Sequence, residues 1–263
     1  MAVLGFDRND GKLMWAFFGM NIRDKYLGSR LGSLWAVANP LLMLALFTFV
    51  FGYVFKMKLP GADTTLSYAI WLISGYGPWL ATAEALMAAS LSVVASAGLI
   101  KNMAFKTEVL PITAALTGLL PLGVSLGFLA LLLVVDGNML SWHAIFGIAI
   151  VGLQFALIIS LGLFMSAVTV FVRDFAFALP NILMVVLFAT PIFYPLTSTP
   201  PIVQAISLGN PFYIISEGYR RALVYHHVPD VVGLLYVAAL SGVLAVVGLK
   251  LFRRYKGYFE ARL

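Results

Sequence analysis

Apolar residues form six long runs along the chain, separated by short polar segments. The runs lie near residues 34–55, 66–96, 109–135, 143–172, 178–196 and 230–251. A helix needs about 20 residues to cross the ~30 Å hydrocarbon core of a bilayer. The pattern therefore predicts an all-α, polytopic membrane protein, with six transmembrane helices in residues 34–263. In the third helix, Gly123 and Gly127 form a G-x-x-x-G motif, which is typical of close helix packing.

Residues 11–30, GKLMWAFFGMNIRDKYLGSR, show a different pattern, typical of a helix that lies in the membrane interface. Its apolar stripe recurs every four residues and consists of Met14, Phe18, Ile22 and Tyr26. Lys25 falls inside this stripe and must extend its aliphatic stem. We predict a cytoplasmic amphipathic interface helix within residues 1–33. It is either a plain membrane anchor or a moving element beside a cytoplasmic entrance, with key residues Trp15, Phe18, Arg23, Asp24 and Tyr26.

Basic residues are distributed unequally between the two sides of the predicted bundle. One side receives 13 of the 17 Lys and Arg residues: Arg8, Lys12, Arg23, Lys25, Arg30, Lys101, Lys106, Arg173, Lys250, Arg253, Arg254, Lys256 and Arg262. The other side has Lys56, Lys58, Arg220 and Arg221. Because cytoplasmic loops carry an excess of Lys and Arg, we expect both termini in the cytoplasm.

Composition agrees with a membrane location and excludes several functional classes. Of the 263 residues, 62% are hydrophobic and 11% charged, with a mean hydropathy of +0.98, whereas soluble domains average about 25% charged residues. The chain has no cysteine, which excludes disulfides and thiol chemistry. The net charge of +6 is spread over distant segments, so nucleic-acid binding is not expected. Residues 1–12 lack the apolar core of a signal peptide, so we expect a mature N-terminus.

The sequence contains no motif that predicts nucleotide, metal or covalent chemistry. It contains no G-x-x-x-x-G-K-[ST] loop to hold ATP phosphates and no H-E-x-x-H zinc motif. His143 stands alone, and His226 and His227 would point apart on a helix, so we expect no metal site. Residues 123–127, GVSLG, have the G-x-S-x-G spacing but lie within a predicted membrane-spanning run, and no S-x-x-K pattern is present, so we expect no nucleophilic serine. We therefore predict a chain that is not an enzyme, that holds no cofactor, and that relies on a partner for any ATP hydrolysis.

The second predicted helix carries four aromatic residues in its outer half and one acid near mid-membrane: Tyr68, Trp71, Tyr76, Trp79 and Glu84. Aromatic faces suit both sugar rings and membrane interfaces. Gly75, Gly77 and Pro78 predict a break in the helix, which is tolerated only against protein or a water-filled cavity. We therefore expect these five residues to line a substrate pathway. The alternative for Glu84 is a structural hydrogen bond to Ser or Thr of a neighbouring helix.

Residues 197–229 read as two short apolar helices rather than an ordinary loop. Pro200 and Pro201 start the first, Gly209–Asn210–Pro211 interrupts it, and residues 212–224 form the second. Pieces of about 8–14 apolar residues are too short to span and indicate a re-entrant or interfacial segment. We predict a hairpin that shapes the extracytoplasmic exit, with key residues Tyr194, Pro195, Asn210, Pro211, Glu217 and Arg220.

Residues 98–108, GLIKNMAFKTE, connect helices 2 and 3 on the cytoplasmic side. Gly98 ends one helix and Pro111 fixes the start of the next. Apolar residues on this short segment are surrounded by charge: Leu99, Ile100, Met103 and Phe105 alternate with Lys101, Lys106 and Glu108. Exposed apolar side chains rimmed by charge are typical of a small protein-binding patch. The alternative is an interfacial turn whose apolar residues dip into lipid.

Motifs in this order along the chain resemble those of ABC-2 type permeases for polysaccharide export. RDKYLGSRLGSLWAVANPLL (23–42) resembles the family's opening signature through Arg23, Asp24, Tyr26, Ser29, Leu31, Gly32, Trp35, Pro40 and Leu41. Further matches are SGYGPW (74–79), LIKNMAFKTEVLPI (99–112), VRDFAFALPNIL (172–183), TPIFYPL (190–196) and NPFYIISEGYRRAL (210–223). The chain departs from the family at Phe105–Lys106, where Phe-Pro is common.

The resemblance implies a function and a set of partners. It implies the permease subunit of an exporter of lipid-linked polysaccharide, similar to O-antigen, in the bacterial inner membrane. The permease would work as a homodimer with two ATP-binding subunits, which hold ATP and Mg²⁺, and residues 98–108 would contact them. Teichoic acid, capsule or a small molecule is the alternative cargo. A membrane-embedded glycan-processing enzyme or an assembly scaffold is the alternative from another class.

Overall fold

The computed structural model describes residues 8–25, 29–32, 34–57, 64–138 and 141–262. Every regular element in these ranges is helical. The α-helices are α1 (Arg8–Lys25), α2 (Leu34–Phe47), α3 (Thr65–Ala95), α4 (Ala97–Asn102), α5 (Val109–Leu116), α6 (Leu119–Val135), α7 (Ile145–Phe171), α8 (Asp174–Ala189), α9 (Pro201–Leu208), α10 (Pro211–Tyr219), α11 (Val231–Tyr255) and α12 (Phe259–Arg262). Two π-helical segments, Thr48–Val54 and Arg220–Val224, extend α2 and α10. Short 3-10 turns occupy Trp142–Ala144, Leu196–Ser198 and Lys256–Tyr258.

Five helical stretches within the described residues are long and apolar enough to cross a membrane: Leu34–Val54, Thr65–Ala95, Val109–Val135, Trp142–Phe171 and Val231–Tyr258. They correspond to predicted helices 1–4 and 6, and a polytopic, all-helical protein is confirmed. The predicted fifth helix, 178–196, corresponds to α8, an apolar helix of 16 residues that ends at Ala189. It ends earlier than predicted because Thr190 is extended and Pro191 follows. The sixth span stays a prediction.

Capping residues fix where α3 and α10 begin. The side chain of Thr64 accepts from the N–H of Ser67 at the start of α3. Asn210 does the same for the N–H of Phe212 at the start of α10, where Pro211 is the first helical residue. Pro is favoured at this position because its missing N–H would have no intrahelical partner. The predicted interruption at Asn210–Pro211 is therefore confirmed, whereas the position of α9 and α10 relative to the membrane stays a prediction.

Helix α3 lies at the centre of the bundle. It packs against α5, α6, α7, α8 and α10, while α11 lies along α7. Of its most apolar stretch, 56% is buried inside the chain, compared with 11% for the helix formed by Leu34–Val54. Residues on α3 therefore face other helices on most sides, and this helix positions the predicted pathway residues.

The prediction of a break at Gly75–Pro78 is wrong, because α3 continues without interruption from Thr65 to Ala95. Its glycines instead permit close approach of neighbouring elements. A Cβ on Gly75 would lie 2.4 Å from Nη2 of Arg220, and one on Gly77 would lie 2.6 Å from Cβ of Ser125. The sequence Gly-Tyr-Gly-Pro therefore marks a dense helix crossing rather than a helix end.

The third predicted helix is divided into α5 and α6 by a turn at Thr117–Gly118. A Cβ on Gly118 would lie 2.8 Å from both the carbonyl oxygen of Ala81 and Cβ of Ala85, so the turn lies directly against α3. By contrast, no described atom outside α6 comes within 4 Å of a Cβ on Gly123 or Gly127, and both glycines are exposed. The prediction that this G-x-x-x-G motif packs closely against another helix is therefore wrong for the described part of the chain.

Candidate functional site

The C-terminal end of α1 meets the middle of α3 at an ion pair. Lys25 Nζ donates to Glu84 Oε1. Both residues line two neighbouring clefts of about 340 and 370 Å³. Lys25 interrupts the predicted apolar stripe because it faces the bundle, and the partner of Glu84 is this lysine rather than a serine or threonine.

The two clefts differ in their lining. The smaller lies beside α2 and is lined by Lys25, Ser29, Trp35, Ala36, Asn39, Pro40 and Glu84. The larger follows α3 towards its C-terminal end and reaches Asn21 of α1 and Thr117. An indole face beside hydroxyl, amide and charged groups provides both apolar contact and hydrogen bonds, the combination that orients a polar ligand. This part of the chain is the candidate entrance.

The four aromatic residues predicted for the pathway lie inside the packed core. Tyr68, Trp71, Tyr76 and Trp79 are all buried. The hydroxyl of Tyr68 donates to the carbonyl of Phe193, at 3.0 Å. The Trp79 ring meets Phe212 edge-on, with centroids 5.3 Å apart. The linings of the two clefts include Glu84 and none of the four aromatic residues, so the structure does not bring the predicted set together.

Arg220, predicted as part of the exit segment, is 1% exposed. Its guanidinium carbon lies 3.8 Å from the centroid of the Trp71 ring. Nη2 donates to the carbonyl of Ile192 at 2.7 Å, and Nη1 donates to that of Pro191 at 3.3 Å. Burial lowers the pKa of Arg220, and the Glu217 carboxylate, 3.6 Å away, opposes this by favouring the charged form. Arg220 thus connects α10, α3 and the segment after α8.

The other predicted exit residues surround this connection. Asn210 donates through Nδ2 to Oγ1 of Thr190, at 2.8 Å, which ties the start of α10 to the end of α8. The Tyr194 hydroxyl donates to the carbonyl of Phe188, at 2.9 Å, just before Pro195 begins the turn to α9. The predicted exit segment therefore attaches to the bundle through polar contacts of Asn210 and Arg220.

The predicted coupling segment is packed rather than open on all sides. Ile100 is buried, and Leu99 and Phe105 are partly buried in an apolar cluster with Phe17. Met103 is 54% exposed and Lys101 is exposed. The ring centroids of Phe105 and Phe17 lie 5.5 Å apart. Of the four apolar residues expected at the surface, only Met103 is largely exposed, so that expectation is wrong for Leu99, Ile100 and Phe105.

The charged residues of the coupling segment pair with the first and last helices. Lys106 Nζ lies 2.6 Å from Oδ2 of Asp10 on α1. Glu108, expected in an exposed rim, is 2% exposed. Its Oε1 accepts from Nε of Arg253 at 3.2 Å and lies 3.6 Å from Nζ of Lys256. Polarity alone does not reveal this burial, because the partners are supplied by the other end of the chain.

Helix α1 presents two different faces. Phe17 is buried against the bundle, whereas Trp15 is 76% exposed. Phe18 is partly exposed, Arg23 and Asp24 are exposed, and Tyr26 lies outside the described residues. The face towards the bundle is completed by Asn21, whose Nδ2 donates to Oγ1 of Thr113 at 3.4 Å. Two faces of this kind fit a helix between protein and an apolar environment.

Gln154 is a functional candidate that the sequence reasoning missed. It is fully buried in the middle of α7, and its Nε2 donates to the carbonyl of Pro78 at 2.8 Å and to Oγ1 of Thr82 at 3.0 Å. Its Oε1 accepts from the hydroxyl of Tyr219, at 2.8 Å. The sequence does contain a signal for this residue, a single amide within an apolar run of membrane length. Polar groups in membranes are costly and usually have a defined partner.

Fold and sites together define a class of protein: a polytopic helical membrane protein with a polar cleft, whose sequence contains no nucleotide-binding motif. The chain belongs to the ABC-2 type transporter family, whose sequence profile matches residues 12–224. Membership in this family makes it the membrane component of a transporter rather than an enzyme.

Comparison with known proteins identifies similar permeases in several bacteria. The chain is 25% identical to the O-antigen export system permease protein RfbA of Myxococcus xanthus over 240 residues, which cover 90% of both chains. It is 26% identical to the protein of the same name from Klebsiella pneumoniae over 241 residues. It is also 26% identical to the polysialic acid transport protein KpsM of Escherichia coli, over 90% of this chain and 91% of that protein.

Proposed function

We propose that this chain is the permease subunit of an ABC exporter that moves a lipid-linked polysaccharide, similar to O-antigen, across the bacterial inner membrane. The observation that carries the proposal is the similarity over about 90% of the chain to permeases named for O-antigen export. Because the sequence has no P-loop, a separate subunit binds ATP and Mg²⁺ and hydrolyses the nucleotide.

In this proposal the permease acts as a homodimer with two ATPase subunits. Both termini lie in the cytoplasm, and residues 197–229 form the re-entrant exit segment. Helix α8, which corresponds to predicted helix 5, completes the set of six membrane crossings. The support is the uneven distribution of Lys and Arg, together with the apolar composition of α8. Met103 and Lys101, which are exposed on the coupling segment, are the residues of that segment best placed to contact an ATPase.

The proposed entrance is the pair of clefts at Lys25 and Glu84. A lipid-linked glycan presents a phosphate-containing head and hydroxyl-rich sugars at the cytoplasmic leaflet. Lys25 supplies a cation for the phosphate. Asn39, Ser29 and Trp35 provide hydrogen-bonding groups and an aromatic face for the sugars. The proposal assigns Glu84 to the substrate pathway and takes α1 as a moving element beside it, one of the two alternatives predicted for this helix. A pathway role for Tyr68, Trp71, Tyr76 and Trp79 stays a prediction, since substrate would reach them only after α3 separates from its neighbours.

A second candidate cargo is a capsular polysaccharide. The similarity to the polysialic acid transport protein favours it, because this relative matches the chain over the same length. Both cargoes are long glycans, and both require the same arrangement of permease and ATPase.

Deletion of the gene in its source bacterium tests the proposal. We expect loss of one surface polysaccharide and accumulation of its lipid-linked form inside the cell. The wild-type gene should restore export, but only together with an ATPase subunit competent for hydrolysis. Chemical analysis of the accumulated glycan distinguishes O-antigen from capsule. Normal surface glycans without intracellular accumulation would show that the chain exports something else.

A further inference from the structure

Glu108 occupies an unusual position between two ends of the chain. It immediately precedes α5, at the end of the coupling segment, and its side chain is 3% exposed. One carboxylate oxygen, Oε1, contacts Arg253 at the end of α11 and Lys256 in the following turn. The other oxygen, Oε2, is buried and has no hydrogen-bond partner among the described residues. A buried acceptor without a partner is unfavourable and therefore requires an explanation.

The surroundings of Glu108 are apolar and join several helices. Val109, Ile100, Phe252 and Phe259 belong to one buried cluster, with Phe17 of α1 at its edge. Phe252 and Phe259 meet edge-on with centroids 5.1 Å apart, which folds α12 back towards α4. A charge-assisted contact is stronger in such surroundings than at an open surface, because water screens it less.

We propose that Glu108 is a positioning residue that transmits displacement of the coupling segment to α11, the last spanning helix. This inference rests on the proposed function, in which an ATPase subunit pushes on residues 98–108. Glu108 is too deeply buried to touch that subunit itself. Arg253 and Lys256 hold its carboxylate, so a shift of the segment moves the end of α11, which lies along α7. The free acceptor Oε2 receives a donor in the displaced state.

The first experiment measures coupling in the complete complex, reconstituted in proteoliposomes with its ATPase subunit. Glu108→Gln keeps the size of the side chain and removes its charge, while Arg253 and Lys256 are each about half exposed. We expect ATPase binding and ATP hydrolysis within about twofold of wild type, and glycan exported per ATP lower by about threefold to tenfold. Arg253→Gln should act in the same direction, and the double variant should be no worse than the more affected single variant.

Arg254→Gln is the matched control, because Arg254 lies on the same turn and its guanidinium faces the Tyr255 ring. It should export at the wild-type ratio. Equal ratios for Glu108→Gln and wild type would overturn the inference, as would equal losses in Arg254→Gln and Arg253→Gln. A wild-type complex that exports no glycan would instead contradict the proposed function.

The second experiment follows movement directly and does not depend on transport. The chain has no cysteine, so a single cysteine replacing the exposed Tyr258 can carry a spin label in the complex with the ATPase. We expect ATP to change the spectrum of this label. Glu108→Gln should abolish the change while the spectrum without ATP stays the same. A label that does not respond to ATP, or one that still responds in Glu108→Gln, would overturn the inference. A purely structural role would alter the spectrum without ATP.

Discussion

Replacing Arg220 by methionine provides a sharp test of how the segment after α8 is attached to the bundle. Methionine preserves the length and much of the volume of the side chain but removes its charge and all five N–H donors. Three carbonyl groups, those of Trp71, Pro191 and Ile192, lose the guanidinium as donor. The contact with the face of Trp71 is lost as well.

The expected cost follows from these contacts. A buried polar group left without its partner costs about 1–3 kcal/mol, and a desolvated cation–π contact contributes about 2 kcal/mol. Removing one member of a buried ion pair costs about 3–5 kcal/mol. Glu217 is partly exposed and can be solvated, which favours the low end. We therefore expect Arg220→Met to lower the free energy of unfolding by about 3 kcal/mol, or Tm by about 6–12 °C for a chain of this size.

Arg221 supplies the matched control. It is adjacent in sequence, lies 3.5 Å from the same Glu217 carboxylate, and its side chain is 44% exposed. An exposed pair of this kind contributes about 1 kcal/mol or less. Thermal unfolding of the detergent-solubilised protein should separate the two variants clearly, with Arg220→Lys between them because an ammonium group cannot reproduce the guanidinium fork. Equal Tm values for Arg220→Met and Arg221→Met would refute the reasoning.

Three further outcomes are expected. A cysteine at Ser198 should react with an impermeant thiol reagent in intact spheroplasts and one at Lys256 should not; the reverse labelling would contradict the proposed topology. Gly162→Ala should destabilise the protein by about 1–3 kcal/mol in thermal unfolding, because its Cβ would lie 2.8 Å from that of Ala89. Gly127→Ala, whose Cβ would meet nothing within 4 Å, should be neutral, and equal effects would argue against tight packing at Gly162. Met103→Ala should reduce the amount of ATPase subunit recovered by co-purification without loss of permease from the membrane. Unchanged recovery would show that the ATPase contacts another part of the chain.

Spans were predictable from the sequence because the bilayer imposes a local rule. An apolar run of sufficient length must be a helix, whatever its neighbours are. Helix contacts obey no such local rule. Gly123 and Gly127 carry the recognisable motif, yet a Cβ on either would meet no described atom within 4 Å, whereas Gly77 and Gly118 carry no helix-packing motif and make close contacts. A small residue permits close approach, but the partner helix decides whether the approach occurs.

Charged residues illustrate the same limit more strongly. Glu108 was predicted at an exposed rim because glutamate is usually solvated. Its actual partner, Arg253, lies 145 residues away in sequence, and a single sequence contains no signal for that pairing. Gln154 differs, because an amide in the centre of an apolar span already indicates a buried hydrogen-bonded group. The sequence thus predicts that such a group is paired, while the structure is needed to identify Pro78, Thr82 and Tyr219 as its partners.

The sequence of α1 fits two interpretations, a plain membrane anchor or a moving element. The contacts of the helix favour the second. An anchor needs only an apolar face towards lipid. Helix α1 also pairs with the bundle at three points along its length: Asp10 with Lys106, Asn21 with Thr113, and Lys25 with Glu84. Phe17 is buried, and Leu13 and Met14 are partly buried against the same apolar cluster, so the first half of α1 is held to the bundle. Beyond Phe17, Asn21 and Lys25 make polar contacts between partly exposed groups, which contribute about 1 kcal/mol or less each, and water can replace them. The C-terminal part of α1 can therefore separate from the entrance cleft at lower cost than the part that packs in the apolar cluster.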